Sequence, residues 1–474
     1  MTLPAKFVER VLRDLGETEG AALCAALDAE PPVSVRLNPA KTGADTLPAG
    51  PDAGLPVPEA AGLPALAIAG RVPWSRDGRY LAVRPSFTLD PDFHAGAYYV
   101  QEASSQFVGH LLAAVRTEGA RILDLCAAPG GKTTLYASLA GPDGLVVANE
   151  IDRRRASVLA DNVRKWGTGN VAVTTCEPRA LGDFEAWFDV VAVDAPCSGE
   201  GMFRKDPDAR GEWSEGNVKQ CAARQDEILR EAWRALRPGG TLVYSTCTFN
   251  RDEDEGALER MAAWAGDEIA ESEETAVEDA WGIVCGRVGA FRTFRFYPHR
   301  TCGEGFFAAV ARKSFDAGGR VRAPKARRTV FAAVDRKTAG ELARWVRNPG
   351  GMHFAAVADT CYAWYAAQAD AVRTLSEALP VIYSGVALGQ VFKGVLKPDP
   401  ALAFFDGLCR GALPVAELDE AEALRFLRRQ DIAAGGLAEG MNLVCSRGRA
   451  LGFAKRIGAR VNNLYPNSLR IIKQ

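Results

Sequence analysis

The central fold follows from one run of residues, Asp124-Leu-Cys-Ala-Ala-Pro-Gly-Gly-Lys-Thr-Thr134, in which an apolar strand leads into a glycine turn and then a helix. Such a turn presents backbone N–H groups to a cofactor at close range. It is not a Walker A loop, because that loop needs a glycine where this chain has Cys126. It also lacks the G-x-G-x-x-G spacing of dinucleotide-binding folds. Roughly twenty residues further on, the next predicted strand ends in Glu150, from which a carboxylate can accept hydrogen bonds from a ribose diol.

Strand-like apolar runs alternate with amphipathic helical segments from Gln101 to about Ala311. This alternation predicts an α/β domain with a mostly parallel sheet and helices on both faces. The predicted strands are Arg121 to Asp124, Leu145 to Asn149, Val171 to Thr175, Val190 to Asp194 and Thr241 to Ser245. The predicted helices between them begin near Lys132, Arg153 and Lys219.

Two cysteines follow neighbouring predicted strands. The fourth strand ends in Asp194-Ala-Pro-Cys-Ser-Gly-Glu-Gly201 and the fifth in Tyr244-Ser-Thr-Cys-Thr248. Doubly wound folds bind ligands at this edge of the sheet, so we interpret both cysteines as functional. A lone cysteine such as Cys24 or Cys409 is instead typical of a small core residue.

A pair of thiols suits methylation of a cytosine ring. Carbon 5 of cytosine is a weak nucleophile, but addition of a thiolate at carbon 6 makes it reactive, and nucleophilic cysteine catalysis supplies that step. An acid near ring nitrogen 3 would stabilise the adduct, and Asp194 is the nearest carboxyl candidate. The hydrogen at carbon 5 must then be removed and the enzyme thiol eliminated, which gives a second cysteine a role. This chemistry leaves open whether Cys197 or Cys247 attacks.

Composition sets wider limits. The 474 residues predict two to four domains, and the 47% of apolar and 24% of charged residues are ordinary for a globular protein. The eleven cysteines form no C-x-x-C pair and there are only four histidines, so we expect neither a metal site nor a disulfide framework. The start of the chain carries Lys6, Glu9 and Arg10 and no apolar run approaches a membrane span, so we expect a cytoplasmic protein, with a monomer favoured. With a net charge of -2, any RNA-binding surface requires basic residues concentrated on one face.

Changes in pattern along the chain predict its domain organisation. The expected segments are an N-terminal module over residues 1–95, an α/β domain over 96–313, a basic linker over 314–328, an intermediate module over 329–410 and a final module over 411–474. The stretch from Thr42 to Leu66, rich in Pro, Gly and Ala, predicts a loop. The basic linker fits either a solvated tether or a direct contact with RNA.

Taken together, these residues resemble a known family, the RNA cytosine-5 methyltransferases of the Fmu/Sun type, and within it the bacterial RsmF-like branch. The resemblance covers nearly the whole chain. Its motifs occur in order as Tyr99 to Ser104, Cys126 to Lys132, Asp194 to Gly201 with the extension Met202-Phe-Arg-Lys-Asp-Pro207, Ser245 to Thr248, and Tyr297-Pro-His299 with Gly303 to Ala308.

The resemblance implies a Rossmann-like, S-adenosylmethionine-dependent methyltransferase domain with a small N-terminal RNA-binding module and C-terminal α+β, PUA-like modules. It implies that Cys247 is the nucleophile and that Cys197 helps the adduct break down. It also implies contacts with S-adenosylmethionine from Cys126, Ala127, Ala128, Pro129, Gly130, Gly131, Lys132, Glu150 and Asp194.

The chain departs from the family pattern at two positions. The third cofactor acid is usually an aspartate, whereas Glu177 stands here, so a longer side chain would have to retract to reach the adenine amino group. In the basic turn from Gly389 to Pro400, Val395 replaces a common basic residue. The run Leu464-Tyr-Pro-Asn467 still matches and favours a PUA-like RNA-binding module at the C-terminus.

The RsmF-like resemblance implies 16S ribosomal RNA, or a small-subunit precursor, as the substrate, with transfer RNA as the alternative for the same chemistry. A catalytically silent ribosome-assembly factor is a second hypothesis, and methylation of a protein or small molecule is a third. The complete glycine turn and both cysteines disfavour the silent factor, and the cysteine pair disfavours the third hypothesis. The candidate phosphate contacts are Arg36, Arg204, Lys205 and Arg251. Packing is favoured over base stacking for Trp74, Phe203 and Trp213, and a structural role is favoured for His299.

Overall fold

The computed structural model describes residues 2–43 and 63–472, so most of the predicted loop from Thr42 to Leu66 lies outside the described residues. Within these two ranges the strands form four separate sheets. None of the helices in the described part of the chain is both long and apolar enough to cross a membrane.

The N-terminal module combines short helices with a sheet of order β2-β3-β1-β4. Its elements are α1 (Ala5–Leu15), α2 (Glu17–Leu27), β1 (Val33–Leu37), α3 (Pro39–Thr42), β2 (Ile68–Arg71), β3 (Gly78–Leu81), α4 (Pro91–His94) and β4 (Tyr98–Tyr99). Gly16 separates the first two helices at a φ of 80°, a backbone conformation that favours glycine.

The central part of the chain alternates strands and helices. Its elements are α5 (Phe107–Ala113), β5 (Arg121–Asp124), α6 (Gly131–Ala140), β6 (Leu145–Asn149), α7 (Arg153–Trp166), β7 (Val171–Thr174), α8 (Pro178–Gly182), β8 (Phe188–Asp194), α9 (Ala209–Glu212), α10 (Glu215–Ala235), β9 (Leu236–Thr246), α11 (Glu255–Ala265), β10 (Ile269–Ala270), β11 (Val284–Val288), β12 (Phe291–Phe296) and β13 (Phe306–Lys313). The five predicted strands and the three predicted helix starts are confirmed to within a few residues, except that β9 begins five residues earlier than the predicted Thr241.

The five predicted strands form the parallel centre of the main sheet, in the order β9-β8-β5-β6-β7. Helices cover both faces, and neighbouring residues of a strand point to opposite faces. In β6, Leu145 and Val147 pack in the core with α8, α10 and α11, whereas Val146 and Ala148 pack with α5, α6 and α7. Burial on both faces explains why these strands are continuous apolar runs.

The C-terminal part contributes two further sheets, of order β14-β15-β16-β18-β19 and β20-β21-β22-β23. Its elements are β14 (Ala332–Ala333), α12 (Arg336–Ala343), β15 (Met352–Val357), β16 (Thr360–Tyr365), α13 (Ala369–Ala378), β17 (Val381–Ser384), β18 (Val386–Phe392), β19 (Val395–Pro398), α14 (Pro400–Phe404), β20 (Val415–Glu417), α15 (Glu420–Leu427), β21 (Gly440–Ser446), β22 (Arg449–Ile457) and β23 (Arg460–Asn463).

One of these strands belongs to the central sheet. β17 pairs antiparallel with β7, so a strand from the predicted intermediate module extends the sheet of the predicted methyltransferase domain. The basic segment before it is also fixed in place. Arg322 donates a backbone hydrogen bond to Glu185, Arg327 donates one to Glu377, and the Arg328 guanidinium donates to the carbonyl oxygens of Ser376 and Leu379. Residues 320–328 therefore lie against the central domain and α13, which does not fit a free tether.

Candidate active site

The glycine turn between β5 and α6 is shaped by close packing. Gly130 has a φ of 110°, which favours glycine, and a Cβ there would lie 3.0 Å from Leu159 Cδ1. A Cβ on Gly131 would lie 3.3 Å from Tyr99 Cε1. Neighbouring side chains therefore already fill the space where a side chain at either glycine would lie, so a substitution would displace the turn or these neighbours.

That cavity, which we name the cofactor pocket, has a volume of about 140 Å³. Its lining includes Tyr99, Gln101, Asp124, Cys126, Ala127, Ala128, Pro129, Gly131, Lys132 and Asp194. All of the sequence-predicted residues of the turn except Gly130 thus line one pocket, together with two carboxylates from the ends of β5 and β8.

Asp124 is the most deeply buried of these carboxylates. Its Oδ2 accepts a 2.6 Å hydrogen bond from Thr133 Oγ1, whereas its Oδ1 has no hydrogen-bond partner among the described residues. Burial raises the pKa of Asp124 to about 7, and the nearby carboxylate of Asp194 adds to this effect. A buried polar atom without a partner is rare in a native protein and is consistent with a missing ligand group.

Glu150 follows β6 and is almost completely buried. Its Oε1 accepts the Asp152 backbone N–H at 3.0 Å, and its Oε2 lies 3.2 Å from Arg155 Nη1. Arg155 also donates to the Ala128 carbonyl oxygen at 3.0 Å, which joins Glu150 to the glycine turn. Glu177 differs, because it is exposed at the start of α8 and its side chain forms no capping hydrogen bond there.

The two predicted catalytic cysteines lie in contact with each other. β8 and β9 are parallel neighbours, and Asp194 is in register with Ser245, so the loops that follow both strands leave the sheet side by side. The Sγ atoms of Cys197 and Cys247 lie 3.1 Å apart, and the Cys247 backbone N–H donates to Cys197 Sγ at 3.4 Å. The hydrogen bond with Cys247, followed by burial, raises the pKa of Cys197 well above its ordinary value. Cys197 is therefore the thiol that retains its proton.

Lys132 connects the cofactor pocket to the cysteines. Its ammonium lies 2.8 Å from Asp194 Oδ2, and Asp194 Oδ1 accepts a 2.8 Å hydrogen bond from Ser245 Oγ. Burial opposes the charge on Lys132, but Asp194, Asp124 and Cys247 outweigh burial and raise the pKa of Lys132. The ammonium and the Cys247 side chain therefore lie close enough to interact. Sequence analysis placed Lys132 only among the cofactor contacts, because its proximity to Cys247 depends on the order of the strands.

A set of hydrogen-bonded polar side chains, the buried polar cluster, holds the two cysteine loops together. Its members are Ser198, Glu200, Gln225, Thr248, Asn250 and Glu253, all buried. Glu253 accepts hydrogen bonds from the Ser198 backbone N–H at 2.9 Å, from Gln225 Nε2 at 3.0 Å and from Asn250 Nδ2 at 2.7 Å. Sequence analysis missed this cluster, although the polar residues directly after Cys197 and Cys247 were an available signal.

Two of the four candidate phosphate contacts are wrong. Arg36 is buried and donates to Gln101 Oε1, Thr134 Oγ1 and the Gly131 carbonyl oxygen, so it braces the turn from behind. The side chain of Arg204 is 6% exposed and pairs with Glu304 at 3.0 Å, so it cannot reach RNA. Lys205 and Arg251 are exposed and stay candidates.

The favoured structural roles of the other singled-out residues are confirmed. His299 pairs with Glu19 of α2 at 2.8 Å. Trp74, Phe203 and Trp213 are buried in hydrophobic clusters, where none can stack on a base. In the part of the chain that the structure describes, no group of three or more His, Cys, Asp or Glu side chains is arranged to hold a metal ion.

Three family models match successive parts of the chain. The model of the 16S rRNA methyltransferase RsmB/F matches residues 111–312. The model of the N-terminal domain of 16S rRNA methyltransferase RsmF matches residues 3–103, and that of the methyltransferase RsmF PUA domain matches residues 414–471.

Individual relatives are similar over most of the chain. A ribosomal RNA small subunit methyltransferase F from Shewanella loihica is 32% identical over 418 residues, which cover 84% of this chain and 83% of the relative. One from Erwinia tasmaniensis is 32% identical over 421 residues, covering 84% of each chain.

Among solved structures, a methyltransferase homolog protein from Pyrococcus horikoshii superposes with a TM-score of 0.53 at 27% identity, covering 65% of this chain and 94% of that one. NSun6 from the same organism, determined with SFG, has a TM-score of 0.52 at 21% identity, covering 65% of this chain and 98% of that one, and shares the fold.

Proposed function

We infer the function from one premise, that this chain belongs to the RsmB/F family of 16S rRNA methyltransferases. It is an S-adenosylmethionine-dependent rRNA methyltransferase. We propose that it methylates carbon 5 of a cytidine in small-subunit ribosomal RNA through a covalent adduct with Cys247. The single observation that carries this proposal is the pair of thiols 3.1 Å apart at the ends of two parallel strands.

The residues of the cofactor pocket fit S-adenosylmethionine. The unpartnered Asp124 Oδ1 offers a buried polar atom for a hydrogen bond, and the carboxylates of Asp194 in the pocket and of the buried Glu150 after β6 can accept hydrogen bonds from the ligand. We propose that these side chains hold the cofactor together with the turn from Cys126 to Lys132, and that Glu177 rotates inward from its exposed position to reach the adenine. When bound, the cofactor supplies an electrophilic methyl group.

Cys247 is the proposed nucleophile. Its thiolate forms a C–S bond to carbon 6, and the displaced electron pair makes carbon 5 nucleophilic. Two groups favour the thiolate on Cys247 over one on Cys197. The Lys132 ammonium interacts with Cys247, and the Cys197 thiol can donate a hydrogen bond to a thiolate on Cys247 without giving up its proton.

Asp194 is proposed to stabilise the adduct at ring nitrogen 3. It is held by Ser245 and Lys132, so the Lys132–Asp194 pair can pass a proton to that nitrogen as charge develops there. After methylation a water molecule takes the proton from carbon 5, and the C–H electron pair forms the C5–C6 double bond. The C–S bond then breaks, Cys247 leaves as a thiolate, and nitrogen 3 returns its proton to the Lys132–Asp194 pair. Cys197 is proposed to assist this release, since its sulfur lies next to that of Cys247.

The modules around this site are proposed to bind the RNA. We propose an N-terminal RNA-binding module over residues 1–95, a catalytic domain over 96–313, a basic segment over 314–328, an intermediate module over 329–410 and a PUA-like module over 411–474. Because stacking and pairing hide carbon 6 in a helix, the target cytidine must be extruded or already unpaired. We propose that the enzyme acts in the cytoplasm as a monomer.

Trapping of the adduct tests the covalent mechanism. In Cys197→Ala, attack and methylation proceed but release is impaired, so a protein–RNA complex accumulates on a denaturing gel with ordinary cytidine. Cys247→Ala abolishes methylation and the complex, because nothing adds to carbon 6. The double variant forms no complex either. Cys285→Ala serves as the control, since this exposed cysteine lies in β11 outside the site.

Two results would contradict this assignment. If Cys247→Ala traps RNA and Cys197→Ala does not, the roles of the two cysteines are exchanged. If neither variant traps RNA although both fold and bind S-adenosylmethionine, covalent catalysis is wrong and the silent assembly factor becomes the better hypothesis.

A second assay tests the substrate. Purified protein is incubated with unmodified 16S rRNA, with assembled small subunits and with transfer RNA, and 5-methylcytosine is mapped by bisulfite sequencing. We expect modification of 16S rRNA, free or within the subunit. Modification of transfer RNA alone would replace the proposed substrate by the alternative one.

A further inference from the structure

A second cavity, with a volume of about 300 Å³, lies next to the cofactor pocket. Tyr99 and Val100 line both cavities. The Tyr99 hydroxyl donates to the Pro129 carbonyl oxygen at 3.1 Å, and Asn162 Nδ2 donates to the same oxygen at 2.8 Å. One fixed tyrosine side chain thus separates the two cavities. We name the second one the aromatic pocket, after its lining by Arg84, Phe87, Phe93, Tyr98, Lys165 and Trp166.

Ring systems form most of its wall. The ring centres of Phe93 and Tyr98 lie 5.9 Å apart, and those of Phe87 and Phe93 lie 6.4 Å apart. Trp166 is held from outside the pocket, with the guanidinium of the buried Arg36 4.4 Å from the centre of its ring. These rings are fixed before any ligand arrives. Fixed aromatic surfaces of this kind are what unpaired bases stack on in single-stranded nucleic acid binding.

Two cations complete the pocket. Lys165 Nζ lies 4.8 Å from the ring centre of Phe93, and the Arg84 guanidinium lies 5.5 Å from that of Phe87. Across residues 2–43 and 63–472, neither cation has a hydrogen bond or an ion pair. Asp161 is the acid whose charge acts on the pKa of Lys165. Its carboxylate already forms an ion pair with Arg164, with 2.6 Å between Asp161 Oδ1 and Arg164 Nη1. Unpaired cations beside an aromatic surface complement a ligand that carries both a ring and a negative charge.

We propose that the aromatic pocket binds one unpaired nucleotide of the RNA strand that carries the target cytidine. The base stacks against Phe93, the half-buried ring of the pocket, while the buried rings of Phe87, Tyr98 and Trp166 hold Phe93 in place, and a backbone phosphate lies against Lys165 and Arg84. This proposal rests on the proposed function, because that function places an RNA strand at the adjacent cofactor pocket.

The C-terminal module fixes the element that carries Phe93. In α4, Asp92 accepts hydrogen bonds from Arg447 at 2.8 Å and from Arg449 at 2.9 Å. His94 Nδ1 lies 3.4 Å from the Tyr465 hydroxyl oxygen. The aromatic pocket therefore lies between the PUA-like module and the cofactor pocket.

The main test neutralises both cations in Arg84→Gln with Lys165→Gln. We expect the KM for unmodified, in vitro transcribed 16S rRNA to rise about tenfold, and the slope of log affinity against log salt to fall by about one to two, as for one or two lost phosphate contacts. The kcat at saturating RNA and the affinity for S-adenosylmethionine should stay within about twofold, because neither side chain lines the cofactor pocket.

A second variant and a matched control separate stacking from charge. Phe93→Leu keeps an apolar side chain but removes the stacking face, so RNA affinity should fall about tenfold with no change in the salt slope. The control, Lys219→Gln with Arg224→Gln, removes the same charge from exposed positions of α10 and should leave the KM and the salt slope nearly unchanged.

Several outcomes would overturn the proposal. Equal effects in the pocket variant and the control, or no effect in either, show that RNA does not use the pocket. Binding of cytidine monophosphate that depends on Lys165, with unchanged RNA affinity, would assign the pocket to a free nucleotide. Failure of the proposed function looks different. Wild-type protein would then bind RNA with pocket-dependent affinity but methylate none of it, which supports the pocket and contradicts the methyltransferase assignment.

Discussion

At the scale of single residues, the protonation of Asp124 in the cofactor pocket affects the stability of the protein. Its pKa in the folded protein is about 7, raised first by burial from an ordinary value of 3.8. Between these values the folded protein keeps a proton that the unfolded chain releases. The unfolded state therefore binds fewer protons, and the free energy of unfolding falls as pH rises from about 4 to about 7.

We predict that Asp124→Asn removes this dependence. The amide oxygen can still accept the hydrogen bond from Thr133, but no carboxylate has to be kept neutral. Relative to wild type, the variant should gain stability with rising pH, by up to about 4 kcal/mol near pH 7. Denaturant unfolding of both proteins without cofactor at pH 4 to 8 measures this difference. Asp267→Asn, at an exposed position, is the control, and parallel curves for Asp124→Asn and wild type would contradict the prediction.

How far the site could be predicted differs from residue to residue. The glycine turn, Asp194 and both cysteines were found because each follows a recognisable apolar strand. The proximity of Lys132 to Cys247 was not, because it arises when β5 and β9 lie on either side of β8. Arg36 was misinterpreted, since nothing in its sequence neighbours shows that it is buried against Trp166.

At the scale of elements, the loops after β8 and β9 are joined by Glu253. N–H groups face both carboxylate oxygens of Glu253. One oxygen accepts hydrogen bonds from the Ser198 backbone N–H and the Gln225 amide, and the other accepts one from the Asn250 amide. Glu253→Gln therefore places an amide N–H₂ against at least one donor, whichever way the side chain turns. The cysteine loops can then move apart.

We predict that Glu253→Gln lowers the free energy of unfolding by about 1–3 kcal/mol, the usual cost of an unsatisfied buried polar group. Adduct formation in the Cys197→Ala background should slow at least several-fold, while the affinity for S-adenosylmethionine is kept. Glu259→Gln is a matched control, because this glutamate lies on α11 and is 60% exposed. Equal effects of the two substitutions would show that the buried polar cluster does not position the thiols.

Strands of the central sheet were predicted correctly where a local pattern of apolar residues marks them in the sequence. The five parallel strands are continuous apolar runs bounded by turns, and their periodicity is visible without tertiary information. β17 was not predicted to join them. It has only four residues and lies more than 200 positions after β7, and its partner is chosen by tertiary contacts alone. The domain boundaries therefore stay predictions.

At the scale of the whole molecule, buried carboxylates join the N-terminal and C-terminal modules, and Asp92 forms the shortest of these ion pairs, whereas Asp90 lies 3.5 Å from Arg447. Asp92 is 1% exposed, and it accepts hydrogen bonds from Arg447 and Arg449 of the last module. Around it, Ala95 packs in one hydrophobic cluster with Phe404 and Leu451. An ion pair that is buried across two modules couples their unfolding, because separating the modules takes both arginines away from the buried Asp92 carboxylate.

We predict that Asp92→Ala uncouples the modules. Loss of the carboxylate removes the charged hydrogen bonds that Asp92 accepts from Arg447 and Arg449, at a cost of about 1–3 kcal/mol, although Arg447 keeps its ion pair with Glu420 at 2.6 Å. Calorimetry should show one thermal transition for wild type and two for the variant, with the C-terminal module unfolding first. Asp370→Ala is the control, since it breaks the exposed pair with Arg373 within α13 and should leave a single transition at nearly the same temperature. A single, unshifted transition in Asp92→Ala would show that this carboxylate does not hold the modules together. RNA affinity measured below the first transition adds a second readout. If the C-terminal module has to hold α4 for RNA to reach the aromatic pocket, Asp92→Ala should lose RNA affinity even where both modules are still folded.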